Sequence, residues 1–133
     1  MNYYDLPVNY EFPSRSFTLD RELVSKYLAA TRDSHTLFAR EGCVPPMAVG
    51  ALAVSALSKE VSFPPGTVHV SQEFEFAAPL RVGAEVSCRS KVTRNLHRGG
   101  MYLMSIEILV LDRRQQVVLT GKVGFVLPEP VGL

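Results

Sequence analysis

The feature that most constrains this chain is the stretch from Cys43 to Leu57, fifteen residues whose apolar run is broken only by Ser55. A membrane-spanning helix needs roughly 20 such residues, so this stretch reads as a buried helix. Pro45 and Pro46 open it, where a missing N–H is of no consequence because the first-turn donors are unpaired anyway. From Met47 to Ser58 the residues are small and apolar on every side, with Ala48, Gly50, Ala51, Ala53 and Ala56. A helix of that kind expects cover all round. Its small side chains let other backbone approach closely.

Everything after the helix reads as strand. Phe63 to Gly66 holds Pro64 and Pro65 and makes a turn. Thr67 to Phe76 then alternates, with Val68, Val70, Phe74 and Phe76 on one face and His69, Ser71, Glu73 and Glu75 on the other. Pro79 to Gly83 is a turn, and Glu85 to Thr93 alternates again. His97 to Gly100 is a Gly-Gly turn. Met101 to Leu111 is nearly continuous in its apolar run, which predicts a strand covered on both faces. Asp112 to Gln116 is a polar turn before a last strand, Val117 to Leu127.

The first half is less regular. Met1 to Ser16 holds two prolines and three tyrosines without a period and reads as an irregular arm, with a short strand near Ser16 to Leu19. Asp20 is placed to cap a helix. Leu23, Val24, Tyr27 and Leu28 recur at helical spacing through Thr31. Arg32 to Gly42 is polar and reads as a loop or broken turn.

Four strands joined as hairpins must bury their apolar face on something, and the Met47–Ser58 helix is the candidate of the right length and apolarity. The pattern predicts a single α+β domain over residues 17–133, an antiparallel sheet wrapped around a central helix, which is the hot-dog architecture. At 133 residues and 47% hydrophobic, the chain is long and apolar enough to bury that core, so a disordered or fibrous chain is excluded. One sheet of this kind leaves an unpaired edge, and pairing edges in a dimer removes it.

Charge narrows the function. Fourteen Lys and Arg against thirteen Asp and Glu give a net charge of +1, no bulk field for nucleic acid or an anionic membrane surface. Two cysteines, Cys43 and Cys88, are too few for a disulfide framework or a cysteine-based zinc site and read as small buried side chains. No His, Cys and carboxylate set has metal-ligand spacing, and no Gly-rich phosphate loop or nucleophile elbow is present, so neither metal nor cofactor is expected. Met1 to Val8 carries Asp5 and neither Lys nor Arg, unlike a signal peptide, so the expected residence is cytoplasmic.

The run from Val70 to Val86, with Gln72, Phe74, Pro79, Val82-Gly83 and Glu85-Val86, resembles a signature of the MaoC-like hot-dog family. Tyr27 to Asp33 resembles that family's helix running into its catalytic Asp. Cys43 to Val49 resembles the start of its central helix, in a Pro-Pro variant found in degenerate halves. The resemblance covers roughly Phe17 to Leu127. It implies a protein acting on an acyl thioester, carried on coenzyme A or an acyl carrier, as (R)-specific enoyl-thioester hydratases and 3-hydroxyacyl-thioester dehydratases do. It also implies a homodimer, or a heterodimer with another hot-dog chain.

The resemblance implies a site as well. Hydration needs an acid/base pair and a donor to the thioester oxygen. The family supplies the pair in a pattern of Gly-Asp-x-Asn-Pro-x-His type, and the donor from the backbone of an Ala-His-Gly-Met segment. Laid on this chain, Asp33 takes the Asp place, His35 the Asn place and Thr36 the Pro place. Phe38 stands where the catalytic His should be. The second segment becomes Val44-Pro45-Pro46-Met47, and Pro46 has no N–H to donate. A supporting Ser of many members falls near Val54, beside Ser55. The expected catalytic residues are therefore Asp33, with His35, two residues on, as a replacement base. Val44 and Met47 are expected to line the acyl site. Arg98, in a turn explained by Gly99 and Gly100, is expected to meet the phosphates of the carrier arm. Against this, Asp33 also reads as a capping or solvated carboxylate, and His35 as a surface histidine. His69 reads as a cross-strand partner for Glu73 or a neighbour. Such a chain is an atypical acid/base enzyme or a non-catalytic subunit, and a poor ordinary hydratase.

Overall fold

The computed structural model describes residues 2–33, 35, 38 and 42–130. Asp20 starts the first helix as its residue type predicts. Its backbone is extended, and its side chain accepts the Leu23 N–H at 2.8 Å. Helix α1 follows over Arg21–Thr31, with Val24 buried and Leu23, Tyr27 and Leu28 packed partly into the core. It ends at Arg32 in the left-handed conformation, φ 55°. Helix α2 covers Pro46–Ser58, with Pro45 at its N-cap and no side-chain cap.

The strands are β1 (Arg15–Thr18), β2 (Val68–Phe76), β3 (Glu85–Arg98), β4 (Met101–Leu111) and β5 (Val117–Pro128). They form one sheet in the order β1-β3-β4-β5-β2, antiparallel throughout. Gly99 and Gly100 join β3 to β4 with φ of 62° and 77°, the pair of positive values that a tight two-residue hairpin demands. Ala48, Val49, Ala53 and Leu57 of α2 pack in one core with Met104, Ile106, Ile108 and Val110 of β4 and Leu119, Val123, Phe125 and Leu127 of β5.

Three readings from periodicity need correction. Helix α2 is not buried on all sides: Met47, Ala51, Ser55 and Ser58 form an exposed stripe along it, because one curled sheet covers only part of a helix. Strand β4 is not covered on both faces: Met101 and Glu107 are exposed and Leu103, Ser105 and Leu109 half-buried on the outer side. Strand β2 does not keep one face. Its register with β5 slips between His69 and Ser71. That bulge leaves Val70 unpaired. His69 therefore turns to the helix side, its ring 4.8 Å from that of Phe125, while Ser71, Glu73 and Glu75 face outward.

The arm is irregular in backbone yet belongs to the core, for Tyr3, Leu6 and Phe12 are buried. The Asn9 N–H donates to the Val92 carbonyl at 2.7 Å, Val92 returns a bond to Tyr10 at 2.9 Å, and Phe12 donates to Ser90 at 3.0 Å. Together with β1, which opens at Arg15, the arm covers the outer edge of β3. Among the described residues, no strand covers the outer edge of β2.

Candidate functional site

Segment 42–44, ahead of α2, is clipped to segment 80–82. The Val44 N–H donates to Leu80 at 2.8 Å, the Val82 N–H donates to Gly42 at 2.8 Å, and Cys43 bridges to Arg81. Two prolines then turn the chain directly into the helix. Pro46 offers no N–H, and the Ala48 N–H is taken by the Pro45 carbonyl at 2.9 Å. The start of α2 therefore has fewer free donors than an ordinary helix start.

Against this start lies an apolar cleft of about 80 Å³, lined by Phe38, Cys43, Val44, Pro46, Val49, Phe76, Ala78, Pro79, Leu80, Val118 and Leu119. Larger hollows of about 410 and 480 Å³ lie on the sheet's outer face, but charged side chains such as Lys91, Glu107 and Lys122 line them. The cleft is the better candidate for an acyl group because its wall is hydrocarbon. An ordinary ligand site measures about 300–1,000 Å³, several times this volume.

The end of α1 sets Asp33. The left-handed Arg32 reverses the chain, and the Asp33 N–H caps the Leu28 carbonyl at 3.1 Å. Asp33 is exposed, and its Oδ1 accepts the His35 N–H at 3.0 Å. The His35 carbonyl accepts the Phe38 N–H at 3.0 Å, and the two rings stand 5.7 Å apart. Asp33, His35 and Phe38 thus form one local run, of which Phe38 reaches the cleft. Thr36 and most of the segment read as a loop, Arg32 to Gly42, lie outside the described residues.

The remaining candidates separate. Val44 is buried in the cleft wall. Met47 is 43% exposed on the outer stripe of α2, and is not part of that wall. Arg98 pairs with Met101 at the far end of the sheet, where Met101 meets Pro128, whereas the cleft sits at Val118 and Leu119. Leu119 and Leu127 are eight residues apart along β5, about 26 Å. Of Met47, Met101 and Met104, Met104 is core at 1% exposure, while Met47 and Met101 are open.

Sequence reasoning missed Cys43, Phe76 and Val118 as cleft residues, since they come together only through the clip and the sheet. The two cysteines differ. Cys43 is half-buried in the cleft. Cys88 is in the core, where burial pushes its thiol up to about 11 and keeps it protonated and inert. Among the described residues, no group of His, Cys, Asp and Glu is placed to hold a metal, and no helix is long and apolar enough to cross a membrane.

A five-stranded antiparallel sheet curled over one apolar helix, with a cleft at that helix's start, defines the hot-dog class of α+β domains. The likeness to solved structures is of the same kind. The (R)-hydratase from A. caviae involved in PHA biosynthesis aligns with a TM-score of 0.78 and 20% identity, covering 93% of this chain and 98% of that one. The R-hydratase PhaJ1 from Pseudomonas aeruginosa, unliganded, aligns at 0.76 and 18%, covering 96% and 86%. The C-terminally truncated HadBC (3R-hydroxyacyl-ACP dehydratase) complex from Mycobacterium tuberculosis aligns at 0.74 and 19%, covering 90% and 96%. No curated protein matches the chain. Residues 8–121 match the family described as FAS1-like, dehydratase domain region, and the chain belongs to it.

Proposed function

We propose that this chain binds the acyl part of a thioester, on coenzyme A or an acyl carrier, in the cleft before α2, and that it works in a pair of hot-dog chains with an acid/base site altered from that of a hydratase. The observation that carries this reading is Phe38. It lines the cleft at the place where the family resemblance requires a proton-carrying His. The family membership, the hydrocarbon wall and the open β2 edge support it. Asp33, with His35 beside it, is then the remaining acid/base group, Val44 lines the acyl group, and Arg98 meets the carrier's phosphates across a pair rather than within one chain.

A second reading has its own support. Asp33 already spends one carboxylate oxygen on the His35 backbone and lies exposed. In that reading the chain is a non-catalytic half that shapes the acyl site for a complete hydratase chain. Both readings expect the purified protein to hydrate crotonyl-CoA at no more than a trace rate. A missing oxyanion donor costs roughly 10²–10³ in rate. A missing general acid/base costs roughly 10²–10⁴. The losses need not multiply, because groups that act as a unit are not additive. Hydration assays of wild type, Asp33→Asn and His35→Ala test this. Turnover at ordinary enzymic speed, abolished by Asp33→Asn, would overturn the altered-site proposal and restore the standard hydratase. A slow reaction with another acyl thioester that Asp33→Asn abolishes would favour the atypical enzyme over the subunit.

A further inference from the structure

The outer face of the sheet, turned away from α2, carries ordered rows that run across the strands from β3 to β2. Toward the β3–β4 hairpin, Leu96 stands opposite Leu103, Leu103 opposite Val126, and Val126 opposite Val68. Every member is apolar, and Leu96 and Val68 are 36% and 54% exposed. Further along the strands, Lys91 stands opposite Glu107, Glu107 opposite Lys122, and Lys122 opposite Glu73, so the sign alternates at each step. The row beyond runs Arg89, Leu109, Thr120, Glu75. The ion pairs among the described residues are Arg15–Glu60, Glu22–Lys26, His97–Glu129 and Arg113–Glu85, and none of them uses a charge of these rows. A contiguous apolar band rimmed by polar residues marks a surface that meets another protein.

We infer that this outer face packs against the same face of a second copy of the chain, around a two-fold axis that runs parallel to the strands between β4 and β5. Sheets packed face to face lie about 10 Å apart with their strands within about 30° of each other. An axis along the strands sets each row on the same row of the second copy with its order reversed. The apolar row then meets itself, Leu103 on Val126 and Leu96 on Val68. The charged row meets itself with every sign opposed, Glu107 on Lys122 and Lys91 on Glu73, and in the row beyond Arg89 meets Glu75. Other axes lose this match. An axis across the strands, along the charged row, sets every charge on its own like. An axis lying on β4 sets Glu107 on Glu107 and Lys91 on Lys122. An axis between β3 and β4 opposes Lys91 to Glu107 but carries β2 past the far edge of the second sheet, so Glu73, Glu75 and Val68 meet nothing. The pattern of charge therefore names the occupant as well as the axis, because the reversed rows complement themselves. The inference goes beyond the proposed function and does not depend on it: the contact uses the face opposite the cleft and leaves the backbone edge of β2 open.

Sedimentation equilibrium in dilute salt, where exposed charges are least screened, tests the contact on wild type, Lys122→Glu and the exchange Glu107→Lys/Lys122→Glu, each checked for fold by circular dichroism. The single change brings acid against acid across the axis in both copies. The exchange restores opposite signs there, yet within each chain it leaves like charges side by side between β3 and β4 and between β5 and β2. A recovery therefore reports the second copy and not the chain's own row. The expected result is a wild-type assembly whose mass Lys122→Glu halves and the exchange restores. Leu103→Gln, on the apolar row, is expected to halve the mass as well, and decides the matter should Lys122→Glu fail to fold. A monomeric wild type, or a mass that neither Lys122→Glu nor Leu103→Gln lowers, would overturn the contact. A loss of mass that the exchange does not restore would overturn the axis between β4 and β5.

Discussion

Phe74 shows how single residues hold the edge strand β2 in place. Its ring lies between two glycines: a Cβ on Gly50 of α2 would come within 2.8 Å of it, and one on Gly121 of β5 within 2.6 Å. Neither glycine is needed for a positive φ. Each is needed because a ring from the edge strand occupies the space of its missing side chain. Gly121→Ala should therefore destabilise the fold by about 1–3 kcal/mol, the usual cost of overpacking. In urea unfolding, the double variant Gly121→Ala/Phe74→Leu should lose less than the two singles together, because they compete for one space. Additive losses would mean that the contact does not restrain β2.

At the scale of elements, α1 matters to the site through its two ends. Its start depends on the Asp20 cap. Its end presents Asp33 through the bond to Leu28. Asp20→Ala should cost about 1 kcal/mol, within the range of about 0.5–2 found for such caps. The measurement is a thermal or urea midpoint. A change within error would show that tertiary packing of Leu23 and Val24 alone sets the helix start. Local chemistry fixes this cap and the Gly99-Gly100 hairpin, and both are legible in the chain without its fold. The bulge at Val70 is not, because VHVSQEFEF alternates without a break when Val70 is counted, so periodicity points away from a bulge. Pairing with β5, where Gly124 leaves room for Ser71, decides the count.

At the scale of the molecule, the two edges of the sheet are treated differently. The β3 edge is sealed by β1 and by the arm, whose Asn9, Tyr10 and Phe12 take up the backbone of Ser90 and Val92. Asn95 adds two bonds at 2.9 Å to the carbonyls of Tyr3 and Leu6. Among the described residues, nothing pairs with the outer edge of β2, and apolar residues lie on it. Removing residues 1–12 should strip three buried side chains from the core, each worth about 1.5–3 kcal/mol, and bare a second edge. The truncated chain should unfold at much lower urea and associate beyond the wild-type state in light scattering. A truncated chain of unchanged stability and mass would show that the arm is an appendage.

The sequence alone determined the order and type of the elements, since each depends on periodicity or on one local bond: the Asp20 cap, the proline start of α2, the four strands and their turns. The family resemblance adds the proposal of departures at Phe38 and Pro46, because a phenyl ring in place of a proton carrier, or a ring carbon in place of an N–H, would alter the chemistry whatever surrounds it. Tertiary structure decided what is buried and what meets what. Periodicity shows that α2 is apolar, but only the sheet's curvature decides that Met47 and Ala51 stay open. The cleft joins residues from both halves of the chain, Phe38 to Leu119, through backbone bonds between 42–44 and 80–82 that no residue type specifies. Arg98 sits beside a turn in sequence and far from the cleft in space, because a strand of twelve residues separates the two ends of β5.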